Sequence, residues 1–166
     1  MRMTERQQIA ILVAITLIIG VLAVAGATAL PGLSRGNLDV QHYDAIFSKD
    51  GILVERYTYD VHASGEYRML FRNWDAPLTF GAVDRPHIEF LSMTAPPGTI
   101  GYVKDFGGEV RTAAGSASPS YLAVIRYLAL SDEVGIFNPG YFAPGTYTVE
   151  YRYQVRPPVE YDDEWA

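Results

Sequence analysis

Two patterns of apolar residues divide the chain into an N-terminal apolar run and a longer region in which apolar and polar residues alternate. The run at residues 9–30 has 22 residues, none of them charged, and its only polar side chains are Thr16 and Thr28. At about 1.5 Å rise per residue, a helix of this length crosses a hydrocarbon core about 30 Å thick. Because the run has no polar face, it predicts a transmembrane helix.

The residues around this run predict its orientation. Arg2 and Arg6 precede it, and positive residues favour the cytoplasmic side. Residues 1–8 are therefore expected in the cytoplasm and the rest of the chain outside. The length of the run favours a signal anchor. The alternative is a signal peptide cleaved at a small-x-small site, Ala25-Gly26-Ala27 or Ala27-Thr28-Ala29, which would make the protein secreted.

From residue 38 onward, short alternating runs are separated by turn residues, a pattern typical of strands with one buried face. The last run is the clearest, because five apolar residues alternate with five polar ones. Its predicted core face consists of Tyr147, Val149, Tyr151, Tyr153 and Val155. The other predicted strands are residues 38–47, 52–61, 66–72, 78–83, 87–94, 99–104 and 109–113. The first three of these are expected to form a meander of adjacent antiparallel strands.

The segment Tyr121 to Leu130 is compatible with two structures. Ser118 is a suitable helix N-cap and Pro119 suits the first helical turn, which indicates a helix. The apolar run YLAVIRYLAL is also compatible with a strand buried on both faces. The spacing of the neighbouring segments favours the strand.

Together these patterns predict a mainly β fold, an immunoglobulin-like antiparallel β-sandwich preceded by one N-terminal transmembrane helix. The sandwich is expected at residues 38–156, after a linker at 31–37 and before an acidic tail at 157–166. The run Pro-Gly-x-Tyr-x-Val-x-Tyr is typical of the region around the last strand of such sandwiches. It predicts Tyr147 as the tyrosine that stabilises a corner of the sheet.

Composition and motifs limit the kinds of partner and of chemical site that the chain can have. The formal net charge is −6 at pH 7, so we expect no nucleic acid among the partners. The chain has no cysteine, which excludes disulfides and thiolate metal sites. His42 and Asp44 share a strand face, but no third ligand follows from the spacing, so we interpret them as exposed polar residues. No catalytic residue, cofactor or metal is predicted.

Arg72, Trp74 and Asp75 are the candidate contact residues. They lie in a polar stretch, and tryptophan and arginine are enriched at protein interfaces. The competing interpretation, which is favoured for Trp74, is packing over the end of the sandwich. If Trp74 or several tyrosines were exposed, they would suit stacking on a sugar ring.

The segment KDGILVERYTYDV at residues 49–61, followed by EYRMLFR at 66–72, resembles the N-terminal region of the DUF2207 family of predicted membrane proteins. The run GTYTVEYRYQV at 145–155 is similar to an element of the same family. The resemblance implies an extracytoplasmic sandwich and no catalytic residues. Members usually continue into further transmembrane helices, which suggests either a fragment or a short relative.

The sequence therefore predicts a non-enzymatic domain anchored in the cell membrane, with protein partners in a cell-envelope assembly. A module that binds carbohydrate or another small ligand is the alternative. An enzyme that uses carboxylates brought together by the fold is less favoured.

Overall fold

A computed structural model describes residues 36–157, in which nine strands and one helix follow one another along the chain. They are β1 (Leu38–Phe47), β2 (Ile52–Val61), β3 (Met69–Asn73), β4 (Leu78–Thr79), β5 (His87–Thr94), β6 (Ile100–Lys104), β7 (Val110–Ala114), α1 (Pro119–Leu128), β8 (Glu133–Phe137) and β9 (Gly145–Arg156). The apolar run at 9–30, the linker as far as residue 35 and the tail from residue 158 lie outside the described residues. Between residues 36 and 157, no helix is long and apolar enough for a membrane crossing.

The strands form two sheets that pack against each other. One has the order β1-β2-β9-β5-β4 and the other the order β3-β8-β6-β7. Every pairing is antiparallel except that between β4 and β5. The fold is therefore mainly β with antiparallel sheets, as predicted. The core shared by the two sheets includes Tyr59, Leu70, Ile88, Val103, Val134, Ile136, Val149, Tyr151 and Tyr153.

The last strand has the predicted inward face. Val149, Tyr151 and Tyr153 are fully buried, whereas Thr148 and Arg152 are exposed. Strand β9 pairs with β2 on one side and with β5 on the other, so it lies in the middle of the five-stranded sheet. This central position explains why the apolar face of β9 contributes several of the core residues.

The predicted meander of three adjacent strands is wrong at its third strand. The first two form a hairpin, but β3 pairs with β8 in the other sheet. The edge of β2 that a meander would use is occupied by β9 along its whole length. The strand predicted at 78–83 is also shorter, since β4 covers only Leu78–Thr79.

Strand β8 was not predicted. All five of its residues are buried, and the sequence EVGIF combines a charge, a glycine and apolar residues without alternation. Close packing requires glycine at position 135, because a Cβ atom there would lie 2.7 Å from the Leu70 carbonyl oxygen of β3. A strand enclosed on both faces lacks the period-2 pattern that identifies half-exposed strands.

The strand favoured at Tyr121 to Leu130 is also wrong, because α1 covers most of this segment. The Ser118 hydroxyl accepts a hydrogen bond from the Tyr121 amide at 3.3 Å, and Pro119 begins the helix. Ile125 is buried against the four-stranded sheet, whereas Tyr127 is 87% exposed. Because only one face of the segment is covered, its backbone N–H and C=O groups form their hydrogen bonds within a helix and not with neighbouring strands.

We expect Ser118→Ala to weaken the first turn of α1, because it removes the side-chain acceptor of the helix cap. The expected cost is about 1 kcal/mol. Hydrogen exchange at the Leu122 amide, which donates to the Ser118 carbonyl, should become about fivefold faster. Ser116→Ala changes an exposed serine before the helix and is the control. Equal exchange rates in the two variants would contradict the role of the cap.

Candidate functional site

One side of the sandwich has two strands whose outer edges lack a strand partner among the described residues. Strand β1 pairs only with β2, and β3 pairs only with β8. Arg72 of β3 reaches Glu55 of β2 across the two sheets, with 3.6 Å between Arg72 Nε and Glu55 Oε2. The edges of β1 and β3 therefore lie on the same side of the sandwich, which we call the open side.

The inner face of β1 forms an apolar strip on the open side. Val40 pairs with Tyr59, Tyr43 with Tyr57, and Phe47 with Leu53, so these β1 residues share the sheet face that covers the core. We call Val40, Tyr43 and Phe47 the β1 strip. Their exposed fractions are 52%, 48% and 62%. Side chains on a core-facing surface normally lie against a second layer of the fold. Here the second layer covers the three side chains of the β1 strip only in part, so that about half of each remains exposed.

Glu55 lies at the base of the open side and points toward the core. It is 2% exposed, and its Oε1 accepts a hydrogen bond from the Tyr43 hydroxyl at 2.7 Å. Its Oε2 has no hydrogen-bond partner in the described part of the chain. A buried carboxylate is costly unless it is paired, so Arg72 and Tyr43 are the groups that compensate it.

The structure brings two of the three candidate contact residues together. The Arg72 guanidinium lies 4.0 Å from the centre of the Trp74 ring, and the Trp74 and Tyr153 rings meet edge to face with centroids 5.1 Å apart. Trp74 is half-buried, with one face covered by Arg72. Asp75 is exposed beside them. Arg72 thus contacts the buried Glu55, while Trp74 packs against the core.

Sequence reasoning missed Glu55, although the signal was present. Alternation along residues 52–61 places Leu53, Tyr57, Tyr59 and Val61 on one face of the second strand, and residue 55 belongs to the same face. A charged residue at a position that faces the core indicates a buried partner. The identity of that partner, Arg72, depends on how the two sheets pack.

Buried tyrosines surround Glu55. Burial raises the pKa of Tyr59 to about 12, and it raises the pKa values of Tyr151 and Tyr153 well above the usual value. The negative charge of Glu55 raises all three further. The hydroxyls therefore stay protonated in the folded protein at neutral pH. The cluster can donate hydrogen bonds, but it offers no phenolate base or nucleophile.

The histidines in the described part of the chain do not belong to a cluster of metal-ligating side chains. His42 Nε2 lies 3.0 Å from an Asp44 oxygen on the exposed face of β1. His62 Nε2 lies 3.0 Å from an Asp39 oxygen. Between residues 36 and 157, no three metal-ligating side chains come together.

Tyr147 makes a local contact at the start of β9. Its hydroxyl donates to the Ala143 carbonyl oxygen at 2.9 Å, and its ring meets the Phe142 ring edge to face with centroids 4.8 Å apart. The bond joins the strand to the loop immediately before it. Phe142 is fully buried, so this contact ties the loop to the core.

Comparison with known proteins gives one family. A family model described as "Predicted membrane protein (DUF2207) N-terminal domain" matches residues 39–166. The matched range includes every described strand, apart from the first residue of β1. No curated protein and no solved structure matches the chain.

Proposed function

Because the chain belongs to the DUF2207 family of predicted membrane proteins, we propose that it is a membrane-associated protein whose β-sandwich binds another protein of the cell envelope. The membrane association follows from the family. The proposed binding surface is the open side, where the β1 strip and the edge of β3 lie together. The observation that carries the proposal is the exposure of Val40, Tyr43 and Phe47 on a sheet face that otherwise covers the core.

The proposed topology rests on the sequence. Residues 9–30 are a membrane anchor, residues 1–8 lie in the cytoplasm, and the sandwich at 38–156 lies outside after a short linker. The uncharged run of 22 residues and the arginines before it support this arrangement. The acidic tail at 157–166 follows the sandwich on the same side of the membrane.

The proposed occupant of the open side is an extended segment of a different protein. Paired beside β3, such a segment would extend the four-stranded sheet and cover the β1 strip. In strand addition, main-chain hydrogen bonds provide affinity and alternate side chains provide specificity. The segment therefore carries apolar side chains at every second position, and these lie against Val40, Tyr43 and Phe47.

The edge of β1 itself is less suited to a new strand. The register of the β1–β2 pair shifts between Val40 and His42, which marks a bulge. His42 and Asp44 place polar groups on the outer face of the strand. Bulges and charges are the usual devices that prevent unwanted pairing at sheet edges. Since these devices protect the edge of β1, the edge of β3 is the one on the open side that accepts a partner strand.

The finer fold class, an immunoglobulin-like sandwich, is also a proposal. It is supported by Tyr147, whose hydroxyl bonds a backbone carbonyl four residues upstream, as the corner tyrosine of such sandwiches does. The strand order differs from that of an immunoglobulin constant domain. There the last strand lies at a sheet edge, whereas β9 lies between β2 and β5. We therefore propose a relative with its own strand order.

Site-specific photo-crosslinking tests the contact site. With benzoylphenylalanine at residue 40 of the full-length protein, in membranes of the source cells, we expect an adduct with a different protein that maps to one extended apolar segment. The control is the same probe at Thr112, an exposed residue of β7. Tyr43→Lys should lower the yield at residue 40 about tenfold, since it places a charge against apolar contacts. A yield at residue 40 no higher than at residue 112, or adducts only with a second copy, would refute the proposal.

A further inference from the structure

Helix α1 is apolar on the side that faces solvent as well as on the side that packs. Its packed side contributes Ile125 and Ala129 to the core over the four-stranded sheet. On the solvent side, Tyr127 is 87% exposed, and Ala123 is exposed one turn before it. A surface helix normally has charged or polar residues opposite its packed face, whereas α1 has one charged residue, Arg126. The exposed side of α1 therefore has the composition of a surface that a partner covers.

Two leucines extend this apolar surface at the C-terminal end of the helix. Leu128 and Leu130 are 45% and 57% exposed. We call Tyr127, Leu128 and Leu130 the α1 patch. The backbone around the patch is hydrogen-bonded, since the Ala129 amide donates to a carbonyl oxygen of α1 at 2.8 Å and the Ala129 carbonyl accepts from Lys104 Nζ at 2.7 Å. The patch therefore presents apolar side chains and no edge for strand pairing.

The charge along α1 differs from that of the whole chain. The chain has a net charge of −6, yet residues 115–131 contain no acidic residue and one cation, Arg126. A second cation, Lys104, lies at the end of the helix, where its Nζ donates to the Arg126 carbonyl oxygen at 3.0 Å. The two acids that follow the helix are engaged within the fold. Glu133 is 1% exposed, and Asp132 Oδ1 accepts a backbone amide hydrogen at 2.7 Å.

A lipid bilayer has the chemistry that matches this combination of side chains. Tyrosine favours the membrane–water interface, leucine enters the boundary of the acyl chains, and a cation beside them pairs with lipid phosphate. The shape agrees, because Tyr127 protrudes, whereas sites for small ligands are concave. A helix also satisfies its own backbone, so its apolar side enters the headgroup region without exposing unpaired polar groups to lipid.

The tether of the proposed topology keeps the domain close to such a surface. Residues 31–37 connect the proposed anchor to β1, and seven residues span at most about 25 Å. The α1 patch is also separate from the proposed protein contact. Helix α1 covers the outer face of the four-stranded sheet, whereas the β1 strip belongs to the core-facing side of the other sheet. Membrane contact through α1 therefore uses none of the residues of the β1 strip.

We propose that the α1 patch lies in the headgroup region of the membrane to which the domain is tethered. Tyr127 and Leu130 reach the boundary of the acyl chains, and Arg126 extends to the lipid phosphates. This inference rests on the membrane anchor of the proposed function. It adds a second membrane contact, which determines the face of the sandwich that is turned toward the lipid.

Fluorescence quenching by spin-labelled lipid tests the contact in the full-length protein. The chain has no cysteine, so Ala123→Cys and Thr148→Cys each give one labelling site for an NBD fluorophore. Thr148 is exposed on the outer face of the five-stranded sheet, on the opposite side of the sandwich. In vesicles of phosphatidylcholine and phosphatidylglycerol, with the spin label near the lipid headgroup, we expect quenching at residue 123 to be about fivefold stronger than at residue 148.

A pair of matched variants tests the role of the patch. In the protein labelled at residue 123, Leu130→Asp should lower the quenching about fivefold, because it places a charge in the apolar contact. Leu91→Asp makes the same change at an exposed leucine of β5 and should leave the quenching unchanged.

Four outcomes would overturn the inference, and flotation of the vesicles separates them from a failure of the anchor. If the protein floats with the vesicles but quenching is equal at residues 123 and 148, the anchor is supported and the α1 contact is wrong. An equal loss in Leu130→Asp and Leu91→Asp also contradicts the patch. Self-quenching of the fluorophore that rises with protein density, without quenching by lipid, indicates a second copy on this face. A protein that does not float overturns the anchor and the contact together.

Discussion

Raising the pH from about 9 to about 12 should unfold the sandwich in one cooperative step, because folding buries tyrosine hydroxyls that ionise in the unfolded chain. Tyr59, Tyr102, Tyr151 and Tyr153 are at most 5% exposed. Burial is the main cause that raises the pKa of each, to about 12 for Tyr59 and well above the usual value for the other three.

The direction of the effect follows from the raised pKa values. Below the unfolded pKa of about 10, both states keep the tyrosine protons and the contribution to stability is complete. As the pH rises further, the unfolded chain loses protons that the folded protein retains, so the free energy of unfolding falls. Each such tyrosine contributes a slope of about 1.4 kcal/mol per pH unit. Four of them together exhaust a typical stability of about 5–15 kcal/mol within roughly two pH units.

Urea unfolding at a series of pH values, with tyrosinate absorbance recorded in parallel, measures this slope. Tyr153→Phe should reduce it by about 1.4 kcal/mol per pH unit, because one buried hydroxyl is removed. Tyr127→Phe is the matched control, since Tyr127 is 87% exposed. A stability that stays constant between pH 9 and pH 12, or a slope that both variants reduce equally, would contradict the burial of these hydroxyls.

Arg72→Met should destabilise the domain by about 3 kcal/mol, because it removes the cation that faces the buried Glu55 carboxylate. Methionine keeps an apolar stem of similar length, so the loss is mainly that of the charge. The double variant Arg72→Met/Glu55→Gln should recover much of the stability, since the uncompensated charge is then gone. Denaturant unfolding of the four proteins provides the double-mutant cycle.

Arg56 provides the control for this cycle. It pairs with Glu150 at 2.6 Å on the outer face of the same sheet, where the Arg56 side chain is 55% exposed and the Glu150 side chain 35% exposed. Exposed ion pairs contribute about 0–1 kcal/mol, so Arg56→Met should have a small effect. If Arg56→Met and Arg72→Met cost the same, or if Glu55→Gln gives no recovery, Arg72 does not compensate a buried charge.

The same variants separate the two roles proposed for Arg72. In the rescued protein the core is stable but the guanidinium is absent from the open side. If the residue also contacts a partner, the crosslink from residue 40 should weaken in Arg72→Met/Glu55→Gln at restored stability. If the yield stays at the wild-type level, Arg72 acts only as the partner of Glu55, and the β1 strip alone binds the segment.

Alternation of apolar and polar residues is sufficient to predict the strands that have one buried and one solvent-facing side. Strands β1, β2 and β5 begin and end at the predicted residues, and the inward face of β9 is the predicted one. Turn residues such as Gly51, with a φ of 77°, mark the ends locally. The helix cap at Ser118 is also a local signal, although the spacing of the neighbouring segments favours a strand there.

Which strands pair, and which side chains meet across the sheets, depends on long-range contacts in the folded protein. Strand β3 leaves its hairpin neighbours because β9, from the far end of the domain, occupies the edge of β2. The pairing of Glu55 with Arg72 depends on this choice of partners. The apolar run at the N-terminus, read first in the sequence, remains a prediction of topology. Periodicity is a property of one segment, whereas pairing is a competition among distant segments for the same edge, and no local pattern records its outcome.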